Sequence, residues 1–83
     1  MIGERAFLQC RKLKSVAIPK SVKKLGMESF YLCKNLTSAE IPENVTEIGV
    51  AAFNNCPNLV IHSTKGANAI EYAKENGIKY VEI

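Results

Sequence analysis

Displaced by 23 residues, this sequence falls back on itself, and that period restricts the fold more than any other feature of the chain. Ile2, Leu25 and Ile48 align, each followed by a glycine: Gly3, Gly26 and Gly49. Ala6, Ser29 and Ala52 come next, each directly before a phenylalanine (Phe7, Phe30, Phe53), and then Cys10, Cys33 and Cys56, and Leu13, Leu36 and Leu59. Between residues 2–24 and 25–47, 8 of 23 positions are identical, among them Ser15/Ser38, Ile18/Ile41, Pro19/Pro42 and Val22/Val45. Such a period marks a repeat architecture, in which each unit hides its apolar face only against its neighbour.

One unit can be read residue by residue. In Leu36-Thr37-Ser38-Ala39-Glu40-Ile41, the apolar Leu36, Ala39 and Ile41 point inward while Ser38 and Glu40 point out, as in a short strand with one buried face. Pro42 stops the strand and removes a donor that the turn does not need. Val45 and Ile48 then re-enter the core, and Gly49 permits a turn. Residues 50–56 predict a helical turn or two, with Ala52, Phe53 and Cys56 on one face. Equivalent turns are expected near 4–10 and 27–33, and parallel strands near 14–18 and 37–41. The small residue before each phenylalanine lets neighbouring units stack closely.

After Leu59 the pattern changes. Val60-Ile61-His62-Ser63-Thr64 has no Ile-Pro pair, which leaves the strand register there open by a residue or two. A helix follows, with Ala69, Ile70 and Ala73 as its apolar stripe, Lys74 in the last turn and Gly77 as the residue that ends it. A final strand spans residues 78–83. The chain thus divides into repeat 1 (1–24, lacking its start), repeat 2 (25–47), a partial repeat 3 (48–64) and a C-terminal cap (65–83).

The pattern C-x-x-L-x-x-[VA]-x-I-P-x-x-V-x-x-[IL]-G-x-x-[AS]-F-x-x-C resembles the BspA-like leucine-rich repeats, and Y-A-K-E-N-G-I (Tyr72–Ile78) is similar to that family's terminal cap. The resemblance implies an α/β repeat solenoid of leucine-rich-repeat-like coils. Each coil would give one short parallel strand, with helical turns on the opposite side and a helix–strand cap at the C-terminal end. It also implies a role in adhesion or protein recognition, and a secreted or cell-surface parent protein. In that cap a serine usually follows the glycine; Ala67 stands here instead, so the helix is expected to start without a side-chain cap. The sequence opens halfway through a coil, which reads as the C-terminal end of a longer array.

Composition excludes several classes. No apolar run approaches the roughly 20 residues of a membrane span, so no membrane insertion is expected, and the first residues lack the features of a signal peptide. Charge is uneven: residues 1–24 carry seven basic side chains against Glu4, and residues 25–83 carry four basic and seven acidic ones. Arg11, Lys12, Lys14, Lys20, Lys23 and Lys24 form a candidate basic patch. A nucleic-acid site would need aromatic platforms between such charges; with only Tyr31 nearby, the patch reads as a solvated face or a contact for an acidic partner.

No residue pattern in the chain points to a catalytic, metal or cofactor site. Cysteines 23 apart lack the clustered pairs that zinc requires, and helical turns packed about 8–10 Å apart would hold them beyond disulfide reach. Buried free thiols are therefore expected at Cys10, Cys33 and Cys56. His62 is the only histidine, and Cys56 and His62 would be the one imaginable nucleophile–base pair, but Cys56 belongs to the repeat. Glu28, Glu40, Glu43 and Glu47 show no facing pair for acid–base hydrolysis, and the glycines are one per unit rather than a phosphate loop. The sequons at Asn35 and Asn44 fall beside core residues and read as accidents of the repeat.

What remains is a non-catalytic scaffold for protein recognition or adhesion, with Ser15, Ala17, Ser38 and Glu40 as the candidate partner-binding strand face. The alternative is a structural end-cap whose array binds upstream. An exposed first coil, with apolar Ile2, Phe7, Leu13, Val16 and Ile18 and a free strand edge, further predicts self-association that strengthens as salt screens its charge.

Overall fold

A computed structural model describes residues 1–83. In chain order the elements are β1 (Ser15–Ala17), β2 (Lys24–Leu25), β3 (Ser38–Glu40), β4 (Glu47–Ile48), β5 (Val60–Ser63), α1 (Asn68–Glu75) and β6 (Lys79–Glu82). β1, β3, β5 and β6 form a four-stranded sheet in that spatial order, and every pairing in it is parallel. Ser15 lies beside Ser38 and Ala17 beside Glu40, so the 23-residue period is the register of the sheet.

Each repeat carries a second strand where one was expected. β2 and β4 pair in parallel, with Lys24 beside Glu47 and Leu25 beside Ile48, and Ile2 bridges to Leu25. The Ile2/Leu25/Ile48 row is therefore a ladder of its own. Its Gly26 and Gly49 are required by proximity rather than by a special turn. A Cβ on Gly26 would stand 2.6 Å from the Glu4 backbone nitrogen, and one on Gly49 2.5 Å from that of Met27.

The segments near 4–10, 27–33 and 50–56 are not helical, which corrects the expectation above. Arg5, Gln9, Glu28, Leu32, Ala51 and Asn55 adopt φ of 54–60°, a left-handed conformation that breaks any α-helix. Local bonds such as Ala6 N–H to Gly3 O (3.3 Å) and Leu8 N–H to Arg5 O (3.1 Å) close tight turns. The alternate N–H groups are thereby freed to reach the next unit: Phe7 N–H donates to Ser29 O at 2.7 Å and Phe30 N–H to Ala52 O at 2.7 Å. A helix would have consumed those donors internally. The turn side is thus a third hydrogen-bonded ladder, and its spacing is that of a sheet, not of packed helices. The Phe7, Phe30 and Phe53 rings stack in one row, with centroids 4.9 and 5.0 Å apart and planes within 6°.

The third unit is one residue shorter than the others. Leu59 keeps the 23-residue offset from Leu36, but Val60 pairs with Ser38, a shift of 22. This keeps Ile61 beside Ala39 on the buried side, both with no exposed surface. Losing the Ile-Pro pair made room for a continuous four-residue strand on which β6 then pairs.

The cap forms largely as its residues suggest. Ala67 stands at the helix N-cap in an extended conformation with no side-chain bond, and Ala69, Ile70 and Ala73 are buried. Gly77, at φ +67°, follows the C-cap Asn76. Gly77 N–H donates to Lys74 O and Ile78 N–H to Ala73 O, the paired bonds of a Schellman ending. The core is deepest in the second unit: Leu25, Phe30, Cys33, Leu36, Ala39 and Val45 are fully enclosed. Their first-unit equivalents Ile2, Phe7, Cys10, Leu13 and Val16 are half-buried, covered on one side only.

Candidate interaction surface

Strand alternation sorts the sheet into an inward row, Val16–Ala39–Ile61, which the exposed Tyr80 continues in register at the last strand, and two outward rows. The first outward row is Ser15–Ser38–Val60–Lys79 and the second is Ala17–Glu40–His62–Val81. Ser15, Ala17, Glu40, Lys79 and Val81 are exposed, while Ser38, Val60 and His62 are half-buried. All four residues expected from the sequence, Ser15, Ala17, Ser38 and Glu40, therefore fall on one face. Val60, His62, Lys79 and Val81 join them. These last four were missed because the register after Leu59 was open, and the missing Ile-Pro pair was the signal of the shift.

The backbone beneath this face is fixed from below. Thr37 donates both its N–H (2.8 Å) and its hydroxyl (3.0 Å) to Lys14 O. The Asn35 amide donates to Arg11 O at 2.7 Å, which gives the first sequon asparagine a structural use. At the sheet's end the Lys74 ammonium lies 5.8 Å from the centroid of the Tyr80 ring, within range of a cation–π contact.

The basic residues are not gathered into one patch. Arg11, Lys12, Lys14, Lys20, Lys23 and Lys24 are all exposed, but they are strung along the first unit from the turn side, past β1, to β2. Part of the unit's charge is answered by the next unit. Lys24 Nζ lies 3.4 Å from a Glu47 carboxylate oxygen, and the Arg5 guanidinium donates to Glu28 at 2.8 Å. That hydrogen bond, aided by the carboxylate's charge, raises the Arg5 pKa further. Exposed pairs like these are screened by solvent and contribute little stability.

All three cysteines are unpaired. Cys33 and Cys56 are buried and Cys10 is half-buried. Each buried thiol donates to a carbonyl of the preceding unit, Cys33 Sγ to Phe7 O at 3.0 Å and Cys56 Sγ to Phe30 O at 3.1 Å. Burial pushes the Cys33 thiol up and the Cys56 thiol to about 11. A thiol held protonated in this way is a poor nucleophile. His62 stands on the outward sheet face while the Cys56 thiol points into the stack, so the structure does not bring this pair together. The largest concavity, about 860 Å³, is an open cleft between the last turn and the cap, with Cys56, Leu59, Asn76 and Ile78 among its walls and no carboxylate or imidazole.

The chain matches the profile of one protein family, described as the BspA type leucine rich repeat region (6 copies). No curated protein and no solved structure matches it. Leucine-rich repeats of this kind are scaffolds for protein interaction and are generally not enzymes. The parallel strands in a 23-residue register, the stacked phenylalanines and a profile match spanning residues 1–79 lead to one assignment: this chain belongs to the BspA type leucine-rich repeat family.

Proposed function

We propose that the chain is a stretch of solenoid that recognises a protein partner, without catalysis, on the outward face of its four-stranded sheet. The observation that carries this reading is the pair of outward rows laid over the apolar row Val16–Ala39–Ile61. Side chains on those rows can change from unit to unit without disturbing the core. Ser15, Ala17 and Ser38 are small enough to let a partner approach the backbone, while Glu40, His62 and Lys79 offer charge and hydrogen bonds.

Four strands of about three residues give a face roughly 14 Å by 10 Å. A stable interface buries about 800 Å² on each partner. The sheet face alone therefore supports a weak contact or one part of a wider surface. Adhesion and a secreted or cell-surface parent are part of the same proposal, and they are supported by the family's character.

A second reading, that these residues chiefly close an array, is favoured by α1, which packs on β4, β5 and β6 and covers the last unit. Photo-crosslinking separates the two. A crosslinking residue is placed at Ser38, or at Glu75 on the exposed side of α1, and a partner is sought in extracts of the source cell. Recognition by the sheet predicts a product from position 38 that Glu40→Lys abolishes and none from position 75. Equal labelling at both positions, or indifference to Glu40→Lys, would refute it.

A further inference from the structure

On the turn side the backbone hydrogen bonds between units leave from alternate residues. The N–H groups of Arg5, Phe7 and Gln9 donate to the carbonyls of Met27, Ser29 and Tyr31, and those of Glu28, Phe30 and Leu32 donate to Val50, Ala52 and Asn54. The matching donors of the third unit are Ala51, Phe53 and Asn55, and there the cap stands where a further turn would be. It offers a single acceptor, the Tyr72 hydroxyl, to Phe53 N–H. Ala51 N–H and Asn55 N–H donate to no atom of the protein. Asn55 shares the left-handed conformation of Gln9 and Leu32 (φ 59°, against 55° and 60°), so its N–H is aimed along the stack as theirs are. It lines the cleft of about 860 Å³ between the last turn and the cap, whereas Ala51 lies in a smaller hollow beside Glu75.

We propose that this cleft binds the C-terminal carboxylate of a peptide whose last side chain is aliphatic. Charge selects the ligand first. Lys34 and Lys79 stand in the walls, neither is in an ion pair, and no lining residue is acidic. The Asn58 amide is free as well, although one period earlier the Asn35 amide donates to Arg11 O. Two ammonium groups, a free amide and an unused main-chain N–H suit an anionic acceptor, and charge-assisted bonds to a carboxylate are among the strong ones. Leu32, Val60 and Ile78 are the half-buried aliphatic side chains of the same cleft, and they would hold the apolar group.

The row of donors favours a chain end over a strand running past. On one side of Asn55 the Phe53 N–H is taken by Tyr72, and on the other the next alternate residue, Pro57, has no N–H. A strand laid along the turn would find one partner in the row, whereas a carboxylate needs only one. A glutamate or aspartate side chain has the same charge but brings no aliphatic group beside it. The site differs from the sheet face of the preceding proposal. Val60 and Lys79 belong to both, but Glu40 is not among the walls of the cleft.

The test titrates the intact, nitrogen-15-labelled chain with a short acetylated glycine–serine peptide ending in leucine, at low salt. The Asn55 N–H resonance should move as it gains an acceptor. Those of Gln9 and Leu32 should stay, since they already donate to Tyr31 and Asn54. Amidating the peptide's C-terminus should weaken binding at least about tenfold. An amidated peptide that carries a glutamate side chain in place of the free end should be weakened to a similar degree.

Lys34→Gln combined with Lys79→Gln, both at exposed positions, should weaken binding roughly tenfold while leaving the melting temperature in place. Glu40→Lys should leave the peptide's affinity unchanged, which separates this site from recognition on the sheet face. An Asn55 resonance that stays still up to about 10 mM peptide would overturn the proposal. So would equal binding of the amidated or the glutamate-bearing peptide, or shifts confined to Ser38, Glu40 and His62.

Discussion

The Tyr72 hydroxyl accepts the Phe53 N–H at 3.2 Å while its ring stands edge-on to the Phe53 ring, 6.1 Å away at 73°. One side chain thus ends two rows at once, the aromatic stack and the turn-side hydrogen-bond ladder. Burial raises its phenol pKa, and the bond from the Phe53 backbone offsets part of that rise. Tyr72→Phe keeps the edge contact and strands a buried N–H. It should cost about 1–3 kcal/mol in urea unfolding, and Tyr72→Ala more, about 3–5 kcal/mol. A Tyr72→Phe variant as stable as the parent would mean that the hydroxyl contributes nothing.

Gly26 and Gly49 should resist substitution where Gly3 does not. An added Cβ at Gly26 or Gly49 meets backbone at 2.6 or 2.5 Å, which forces two units apart, whereas at Gly3 it meets nothing within 4 Å. Gly26→Ala and Gly49→Ala should each destabilise by at least about 1–3 kcal/mol. Gly3→Ala should stay within about 0.5 kcal/mol of the parent. Thermal or urea melts of the three variants decide.

Ser29 is buried and its hydroxyl has no hydrogen-bond partner, while the equivalent positions hold Ala6 and Ala52. Leaving such a group unsatisfied costs on the order of 1–3 kcal/mol. Ser29→Ala should therefore stabilise the chain, by about 1 kcal/mol. A loss of stability would reveal a partner for that hydroxyl in solution.

The sequence made the rows legible because a period aligns side chains whatever the backbone does between them. Phe7, Phe30 and Phe53 could be placed in one stack, and Ser15, Ala17, Ser38 and Glu40 on one face, from identity and alternation alone. The turn-side backbone was not legible. Left-handed residues usually announce themselves as glycine or asparagine, but of these positions only Asn55 does so, the others holding Arg5, Gln9, Glu28, Leu32 and Ala51. In the first two units the N–H groups of these residues donate to the next unit's carbonyls, so the expectation of helical turns, and the wide spacing drawn from it, gave way to a ladder at sheet spacing. Tyr72 escaped notice for a related reason: as a polar residue beside the Ala69–Ile70–Ala73 stripe it gave no sign of its buried contact with Phe53.

The thiols provide a check on burial. In the native protein a thiol reagent should modify Cys10 first and leave Cys33 and Cys56 protected, with all three reacting after denaturation. Because the Cys56 pKa is raised to about 11 in the folded chain, its contribution to stability is complete below the unfolded thiol value of about 8.5 and is lost as pH climbs toward 11. Cys33 and Tyr72, also raised, act in the same direction. Melting temperature should fall across that window, and Cys56→Ala should flatten the slope. A melting temperature that rises from pH 9 to 11 would contradict the burial.

Scalar couplings across hydrogen bonds test the stacking of units most directly. The account predicts measurable couplings from the Phe7 nitrogen to the Ser29 carbonyl carbon and from the Phe30 nitrogen to the Ala52 carbonyl carbon. Couplings from those nitrogens to carbonyls four residues earlier, Gly3 and Gly26, would instead show helices on the turn side and contradict the ladder.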